Sequence, residues 1–270
     1  MKKSKVDIIM GIYNCEKYLA ESIDSILNQT FKDWRLIMCD DKSTDGTLEI
    51  AEKYAKKYPE KILLLKNEKN MGLNYTLNKC AKEATAKYLA RQDADDISLP
   101  ERIEKEYSLI DSNPNYAIVS SNVIMFDENG NWGSFVLKEK PEKDDFTRDI
   151  VFCHASAIIR KNVFDEVGGY SVDERLLRVE DFDLWGKIYA AGYTGYNIQD
   201  ALYRYRDDRN ANKRRTWQNR KNEYYARKNT YRNLGVTWYK RITVFRPLIL
   251  GLMPVWLYDV LRKMWNKSVK

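Results

Sequence analysis

Short apolar runs alternate with amphipathic segments through the first 96 residues, and this alternation restricts the chain to few folds. Four of the runs have the length and composition of β-strands, namely residues 6–10, 34–39, 62–66 and 86–91. The segments between them carry apolar side chains at helical spacing, at residues 17–28, 47–58 and 73–84. Strands that alternate with helices form a mostly parallel, twisted sheet covered by helices. The sequence therefore predicts an α/β fold.

The rest of the chain mixes the two element types less regularly. Further elements are predicted as a helix at 99–111, a strand hairpin at 117–126 and 133–137, a strand at 155–160, a helix at 180–191 and a strand at 201–206. The first of these helices is predicted from the capping-box spacing of Ser98 and Glu101. We expect one domain over residues 1–206 and a helical, basic extension over residues 207–270.

Charge is divided unevenly along the 270 residues, whose net charge is +7. Residues 200–270 hold 18 of the 46 lysines and arginines but 5 of the 39 acidic residues, so the positive charge is concentrated there. A composition of 44% hydrophobic and 31% charged residues is typical of a globular protein. The apolar run at residues 6–10 is too short for a signal peptide, and the four cysteines show no metal-ligand spacing. We therefore expect a cytoplasmic protein with reduced thiols.

Carboxylates cluster where two of the predicted strands end. Asp40 and Asp41 follow the second strand, and Asp93, Asp95 and Asp96 follow the fourth. Because ligands of an open parallel sheet bind at the carboxyl ends of its strands, both clusters are expected to border one site. Clustered carboxylates repel one another unless a cation joins them. A small number of oxygen ligands suits Mg²⁺ or Mn²⁺, which keep coordination positions open for a diphosphate.

Two other interpretations of these aspartates stay open. Aspartate is common in turns and at helix N-termini, and Asp45 fits that structural role. A dinucleotide-binding oxidoreductase also places an acid after its second strand, but it requires a glycine-rich turn after the first. That turn, residues 11–15, contains one glycine, and the chain has no P-loop pattern. The pattern therefore favours a nucleotide diphosphate held through a metal ion.

Six segments, in order, resemble the family 2 glycosyltransferases, which are inverting enzymes with the GT-A fold. They are residues 8–14, 22–30, 40–47, 67–73, 91–96 and 179–185, and the resemblance covers about residues 6–206. It implies the GT-A architecture, a Rossmann-like, mixed and mostly parallel sheet flanked by helices. It also implies a nucleotide-diphosphate sugar donor, with a UDP-sugar favoured, and Mn²⁺ or Mg²⁺ as cofactor. The chain departs from the family pattern at Gly11, where a proline or threonine is common, and at Lys42, where the family usually has glycine.

The resemblance also implies roles for particular residues at the donor. Asp93 and Asp95 form a DxD element at the ribose and the metal, with Asp95 as the leading metal ligand. Tyr13 and Asp41 are expected at the nucleoside base. The complete set implied for the nucleotide sugar is Ile12, Tyr13, Asp41, Asn70, Asp93 and Asp96.

Inverting transfer also needs a base for the acceptor hydroxyl, on the face of the sugar opposite the departing diphosphate. The resemblance implies Asp181 as this base, and the adjacent Glu180 is expected to raise its pKa. Both acids also suit a helix N-terminus, so a purely structural role stays open. More weakly, Glu180, His154 and Trp185 are expected at the acceptor pocket. His154 is the only histidine in the chain, and a lone histidine is usually structural.

The C-terminal extension combines basic and aromatic residues, a composition found in nucleic-acid-binding proteins. A membrane surface explains residues 247–258 better, since they carry no charge but are too few to span a bilayer. Trp256 and Trp265 would then lie at headgroup depth on anionic lipid. The equal alternative is an amphipathic helix packed on the catalytic domain. We expect an anionic membrane surface as a partner, on the inner face of the cytoplasmic membrane, and no nucleic acid.

The sequence thus predicts a glycosyltransferase that acts on a saccharide or lipid-linked saccharide acceptor in cell-surface polysaccharide synthesis. A nucleotidyltransferase can place a nucleotide and a metal on a similar sheet, but it would need a glycine- and basic-rich loop at residues 11–15. An inactive transferase fold that serves as a basic adaptor for membrane or nucleic acid is the alternative without catalysis. The retained DxD element and the Glu180–Asp181 pair argue against that adaptor.

Overall fold

The N-terminal part of the fold is a parallel β-sheet with helical connections. We describe it from a computed structural model, in which residues 4–148, 150–207 and 216–253 are described. The elements are β1 (Val6–Ile12), α1 (Leu19–Leu27), β2 (Trp34–Asp40), α2 (Thr47–Lys57), β3 (Ile62–Lys66), α3 (Leu73–Glu83) and β4 (Tyr88–Arg91). Strand β1 pairs in parallel with β2 and β4, and β2 pairs in parallel with β3. The predicted alternation of strands and helices is confirmed.

The remaining strands extend this sheet and make it mixed. The elements are β5 (Ile97–Ser98), α4 (Arg102–Ser112), β6 (Tyr116–Asp127), β7 (Gly130–Phe135), β8 (Ile158–Arg160), α5 (Lys161–Glu166), α6 (Glu180–Ala190), β9 (Thr194–Arg206), α7 (Trp217–Asn233) and α8 (Arg246–Leu252). Among the described residues the strand order is β3-β2-β1-β4-β8-β6-β9-β5, with β7 paired to β6. Strand β8 runs antiparallel to β4 and β6, whereas β9 runs parallel to β6. The predicted fold class, a mixed sheet flanked by helices, is confirmed.

Both faces of the central strands are buried, which explains their continuous apolar sequences. In β1, Ile8 and Met10 belong to a core cluster that includes Ile23 of α1. The intervening Ile9 belongs to the cluster on the other face, together with Leu77 of α3. A strand buried on both faces can offer side chains to a ligand only at its two ends. The site must therefore lie along one of the two sides of the sheet where strand ends meet the loops.

The order of the strands fixes which side that is. From β1 the chain first moves outward through β2 to β3, and it then crosses back to place β4 on the other side of β1. Ligands of open α/β sheets bind at the carboxyl ends of the strands beside such a reversal. The residues that follow β1, β2 and β4 therefore meet at one crevice.

Two local predictions were wrong, in each case because a side chain bonds a partner outside the predicted element. Helix α4 begins at Arg102 and Ser98 does not cap it, since the Ser98 hydroxyl donates to Oε1 of Gln92 at 2.6 Å. The strand predicted at 155–160 begins only at Ile158, and His154–Ser156 forms a 3-10 turn. The hydroxyl of Ser156 lies 3.0 Å from that of Ser120 on β6, and this contact holds the turn against the sheet. Helix α5 was not predicted.

The C-terminal extension packs on the rest of the protein through α7, which lies against α6. A Cβ atom added at Gly186 of α6 would lie 2.6 Å from Cγ2 of Thr230 on α7, so the glycine permits this close approach. No helix of the described residues is long and apolar enough to cross a membrane. The predicted headgroup residues Trp256 and Trp265 lie outside the described residues. The division of the chain at residue 206 stays a prediction.

Candidate active site

Asp41, after β2, organises the loop that follows β3. Its Oδ1 accepts hydrogen bonds from Nδ2 of Asn67 at 2.8 Å and from the amide of Met71 at 2.7 Å, and its Oδ2 accepts from the amide of Gly72 at 2.8 Å. Gly72 has a φ of +84°, a conformation that favours glycine. The Asp41 carboxylate is therefore buried and engaged by its own protein, and it fixes the position of residues 67–72.

The other residues expected at the nucleoside flank Asp41. The amide of Asp41 donates to the carbonyl oxygen of Ile12 at 2.9 Å. Tyr13, which is exposed, follows Ile12 in the chain and therefore lies near Asp41. Asn70 is exposed and immediately precedes Met71. The Ile12 side chain, in contrast, is fully buried in the core, so Ile12 can contact a ligand only through its backbone. Lys42, where the family usually has glycine, has a φ of +65°, which explains that preference.

The loop after β4 carries the DxD element and is anchored to β9 by Arg206. The Arg206 side chain donates to the carbonyl oxygen of Asp95 at 2.7 Å, and the Arg206 amide donates to Oδ1 of Asp96 at 2.7 Å. Asp96 is buried, and burial, followed by the charges of Asp93 and Asp95, raises its pKa well above the ordinary value. Asp96 therefore supports the loop from its buried side, whereas Asp95 is exposed.

The protein itself supplies part of the positive charge that the acidic clusters require. Asp93 forms an ion pair with Arg91, whose side chain is buried. No group of three or more His, Cys, Asp or Glu side chains in the described part of the chain is arranged to hold a metal ion. Mg²⁺ and Mn²⁺ are commonly bound by one or two carboxylates together with substrate phosphates. Asp93 and Asp95 thus fit a metal that arrives with a nucleotide diphosphate, not a metal caged by protein.

Arg91 also connects the DxD loop to a second buried group. Its Nε lies 3.5 Å from Nε2 of His154, and that nitrogen lies 2.7 Å from the hydroxyl of Tyr170. Burial, followed by the charge of Arg91, lowers the pKa of His154 well below the ordinary value. The imidazole is therefore neutral at physiological pH and accepts a hydrogen bond. In this position His154 supports Arg91.

Glu180 and Asp181 open helix α6 close to this network. The amide of Phe182 donates to Oδ1 of Asp181 at 2.7 Å and orients its carboxylate. Burial, followed by the charge of Glu180, raises the pKa of Asp181 to about 7. The pKa of Glu180 is also raised, mainly by burial, with a smaller contribution from Asp93 and an opposing one from Arg91. An aspartate that titrates near neutral pH has the proton affinity expected of a general base.

Trp185 does not lie where an acceptor sugar could stack on it. Its side chain is 1% exposed, and its ring packs edge-on against Phe152 and His154, with centroids 5.7 and 6.0 Å away. The expectation that Trp185 contacts the acceptor is therefore corrected: the indole belongs to the core beneath His154.

Comparison with known proteins assigns this chain to a family. The sequence profile of Glycosyl transferase family 2 matches residues 7–168. The chain belongs to this family. Its relatives include EpsE of Bacillus subtilis (strain 168), which is 42% identical over 250 residues that cover 93% of this chain and 90% of EpsE. The amylovoran biosynthesis glycosyltransferase AmsE of Erwinia amylovora is 31% identical, with 80% and 82% covered.

Solved structures share the fold of this glycosyltransferase. S. aureus TarS 1–349 in complex with UDP-GlcNAc matches with a TM-score of 0.69 and 20% identity, over 90% of this chain and 71% of that one. The mannosyltransferase PcManGT of Pyrobaculum calidifontis, in complex with GDP-Man and Mn²⁺, matches with a TM-score of 0.66 and 15% identity, over 100% and 82%. This chain spans 43% of a longer TarS chain. At these identities the likeness establishes the fold alone.

The sequence did not indicate two residues that the structure places in the candidate site. Arg91 and Tyr170 hold the buried network behind Asp93, but their partners lie far away in sequence: His154 is 63 residues from Arg91. The available signal for Arg91 was a cation at the end of a buried strand, since a buried charge must be paired. Tyr170 gave no such signal.

Proposed function

We propose that this glycosyltransferase moves a sugar from a nucleotide-diphosphate sugar to an acceptor hydroxyl, with inversion at the anomeric carbon and with Asp181 as the base. The observation that carries the proposal is the place of Asp181 in the first turn of α6, where the Phe182 amide orients its carboxylate and where burial and Glu180 raise its pKa to about 7. Arg91, which pairs with Asp93 of the DxD loop, is also near enough for its charge to act on both acids of α6.

In this reaction the acceptor oxygen attacks the anomeric carbon on the face opposite the diphosphate. The new glycosidic bond forms as the bond from carbon to the diphosphate oxygen breaks, and the nucleoside diphosphate leaves with that electron pair. The hydroxyl proton passes to the carboxylate of Asp181. The hydrogen bond from the Phe182 amide keeps that carboxylate in one orientation, which favours proton transfer.

The donor is a nucleotide-diphosphate sugar, with a UDP-sugar favoured, and its cofactor is Mn²⁺ or Mg²⁺. Tyr13, Asp41 and Asn70 bind the nucleoside, while Asp93 and Asp95 hold the metal. When bound, the metal offsets the charge of the departing diphosphate. The solved relatives TarS and PcManGT, with UDP-GlcNAc and with GDP-Man and Mn²⁺, support a donor of this class. Ile12 contributes through its backbone, and Asp96 contributes by supporting the loop that carries Asp93 and Asp95.

The acceptor is a saccharide or a lipid-linked saccharide of cell-surface polysaccharide synthesis, used at the inner face of the cytoplasmic membrane. The name of the relative AmsE, an amylovoran biosynthesis glycosyltransferase, supports a polysaccharide product. The basic C-terminal extension supports a location at an anionic surface.

A donor panel tests the proposal directly. Purified protein is incubated with Mn²⁺ and with UDP-, GDP- and dTDP-sugars, and both thermal stabilisation and donor hydrolysis are measured. We expect one donor to stabilise the wild type and Asp181→Asn but not Asp95→Ala, and we expect hydrolysis in the wild type and in the control variant Asp165→Asn but not in the other two. Asp165→Asn is the matched control, since it removes an exposed carboxylate paired with Lys161 on α5. Turnover that persists in Asp181→Asn would contradict the assignment of the base.

A further inference from the structure

The outward face of residues 238–252 is a stripe of large apolar side chains. It consists of Trp238, Tyr239, Ile242, Phe245, Ile249 and Leu252, which are between 48% and 80% exposed. Trp238 and Tyr239 lie in the turn before the 3-10 helix Lys240–Phe245. The other four follow at steps of three or four residues along that helix and along α8, which comes next, so they share one face. We call these six residues the apolar stripe.

The inward face of the same segment is apolar as well. Val244 and Pro247 are buried. Phe245, at the border of the stripe, is partly covered by Tyr224 of α7, whose ring centroid lies 5.6 Å from its own. A helical segment that rests on a domain in water normally exposes polar side chains on its free face. Contiguous exposed apolar surface instead marks a site of contact with a partner or a membrane.

The charges beside the apolar stripe identify the partner. Residues 236–253 contain Lys240, Arg241 and Arg246 and no acidic residue. Arg241 is exposed, and so is Arg148, whose carbonyl oxygen accepts a hydrogen bond from Arg246. Lys240 is paired with Asp144, so the positive charge of this rim is only partly offset. Apolar and aromatic side chains bordered by basic ones are the pattern of a segment that lies in a lipid interface.

A second copy of the chain fits this surface less well than lipid does. In a twofold dimer the same patch meets itself, so the basic rim of one copy would face the basic rim of the other. Anionic headgroups, in contrast, attract each lysine or arginine near the bilayer surface.

The apolar stripe continues toward the segment that precedes the proposed base. A Cβ atom added at Gly251 would lie 2.8 Å from Cζ3 of Trp217, so α8 ends against the first residue of α7. One turn further along α7, Nδ2 of Asn222 donates to the carbonyl oxygen of Leu177 at 3.1 Å. Leu177 is exposed and lies four residues before Asp181. The path from the stripe to the catalytic helix therefore passes through direct contacts.

We propose that the apolar stripe docks this protein on an anionic lipid bilayer, with Asp181 held at the level from which a bilayer-anchored acceptor is reached. The second part rests on the proposed function, whereas the docking itself does not. The stripe inserts its aromatic and aliphatic side chains at headgroup depth, and Arg241 and Arg148 contact the anionic lipid.

Vesicle cosedimentation tests the docking. Full-length protein is mixed with vesicles of phosphatidylcholine alone or with phosphatidylglycerol added, at low and at high salt. We expect binding to the anionic vesicles that weakens with salt, and a loss of at least about tenfold in the double variant Ile242→Glu/Ile249→Glu, since two charges replace inserted apolar groups. The matched control is Val136→Glu, which places the same charge at a 62% exposed valine after β7 and should bind like the wild type.

Two further readouts separate the possible failures. Donor hydrolysis in solution should be equal in the double variant and the wild type. If neither the wild type nor the variants hydrolyse a donor, the proposed function is contradicted, but the vesicle result still stands. Wild type that fails to bind anionic vesicles would overturn the docking. So would a dimer in sedimentation velocity that the double variant abolishes, because the stripe would then be an interface between copies.

Discussion

The buried guanidinium of Arg91 pairs with the carboxylate of Asp93 at the point where β4 ends and the DxD loop begins. The same side chain lies 3.5 Å from His154, and its charge opposes the rise in pKa that burial causes at Glu180 and Asp181. One cation therefore acts on both halves of the site, the acid expected at the donor and the acid expected at the acceptor. This arrangement makes Arg91 a positioning residue whose replacement should disturb both.

The variant Arg91→Lys should lower kcat by about 10–100-fold, because a lysine keeps the charge but cannot contact Asp93 and His154 with a rigid guanidinium. Arg91→Met should also unfold at a lower temperature. Removing one partner of a buried ion pair costs about 3–5 kcal/mol, and the loss here should be smaller because the Asp93 side chain is 28% exposed. Steady-state kinetics and thermal denaturation measure the two effects. If Arg91→Lys and the wild type have equal kcat, Arg91 is not a positioning residue.

The rate of transfer should rise with pH through neutrality. A base must be deprotonated to accept the acceptor proton, and the pKa of Asp181 is raised to about 7 by burial and Glu180. We expect kcat/KM to increase about tenfold per pH unit below pH 6 and to level off above pH 8, with Mg²⁺ as the metal throughout. A profile that is flat from pH 5.5 to 8 would show that Asp181 titrates elsewhere or is not the base.

The same raised pKa should make Asp181→Asn more stable than the wild type in alkaline solution. Between the ordinary pKa of an aspartate and about 7, the folded wild type binds a proton that the unfolded chain has released. Stability contributed by this group is therefore present at low pH and is lost as the pH rises through 7. Melting temperatures should show the asparagine variant above the wild type at pH 8 and no such gain at pH 4. If the difference in melting temperature between the variant and the wild type is the same at every pH from 4 to 8, then the protonation of Asp181 does not affect stability.

The sequence predicted the fold and part of the site for different physical reasons. Strands β1 to β4 follow from local sequence, since β1, β2 and β4 are apolar runs buried on both faces and β3 is a shorter, partly buried apolar run. Asp181 could be proposed as the base because the resemblance rests on a local motif, but the environment that raises its pKa comes from the fold. Trp185 shows the limit of the method: a tryptophan one turn into a helix gives the same pattern whether its ring is exposed or, as here, buried. Contacts such as that between Arg91 and His154 join residues too distant for any pattern to indicate.

The packing of α6 on α7 can be tested at Gly186. In the variant Gly186→Ala, the new Cβ would lie 2.6 Å from Cγ2 and 2.7 Å from Oγ1 of Thr230, which is itself buried. Overpacking of this kind costs about 1–3 kcal/mol. Alanine favours a helix over glycine by about 1 kcal/mol, so the net loss of stability should be about 0–2 kcal/mol.

Adding Thr230→Ala should recover this loss, since it removes both of the clashing atoms and leaves the helix preference of the introduced alanine. Thr230→Ala alone is the matched control, and the two substitutions should therefore be non-additive in denaturant titrations. Because α6 begins with Glu180 and Asp181, a displaced helix should lower kcat in Gly186→Ala more than it changes donor KM, and the double variant should restore kcat. If Gly186→Ala melts above the wild type with full activity, then α7 does not set the position of the catalytic helix.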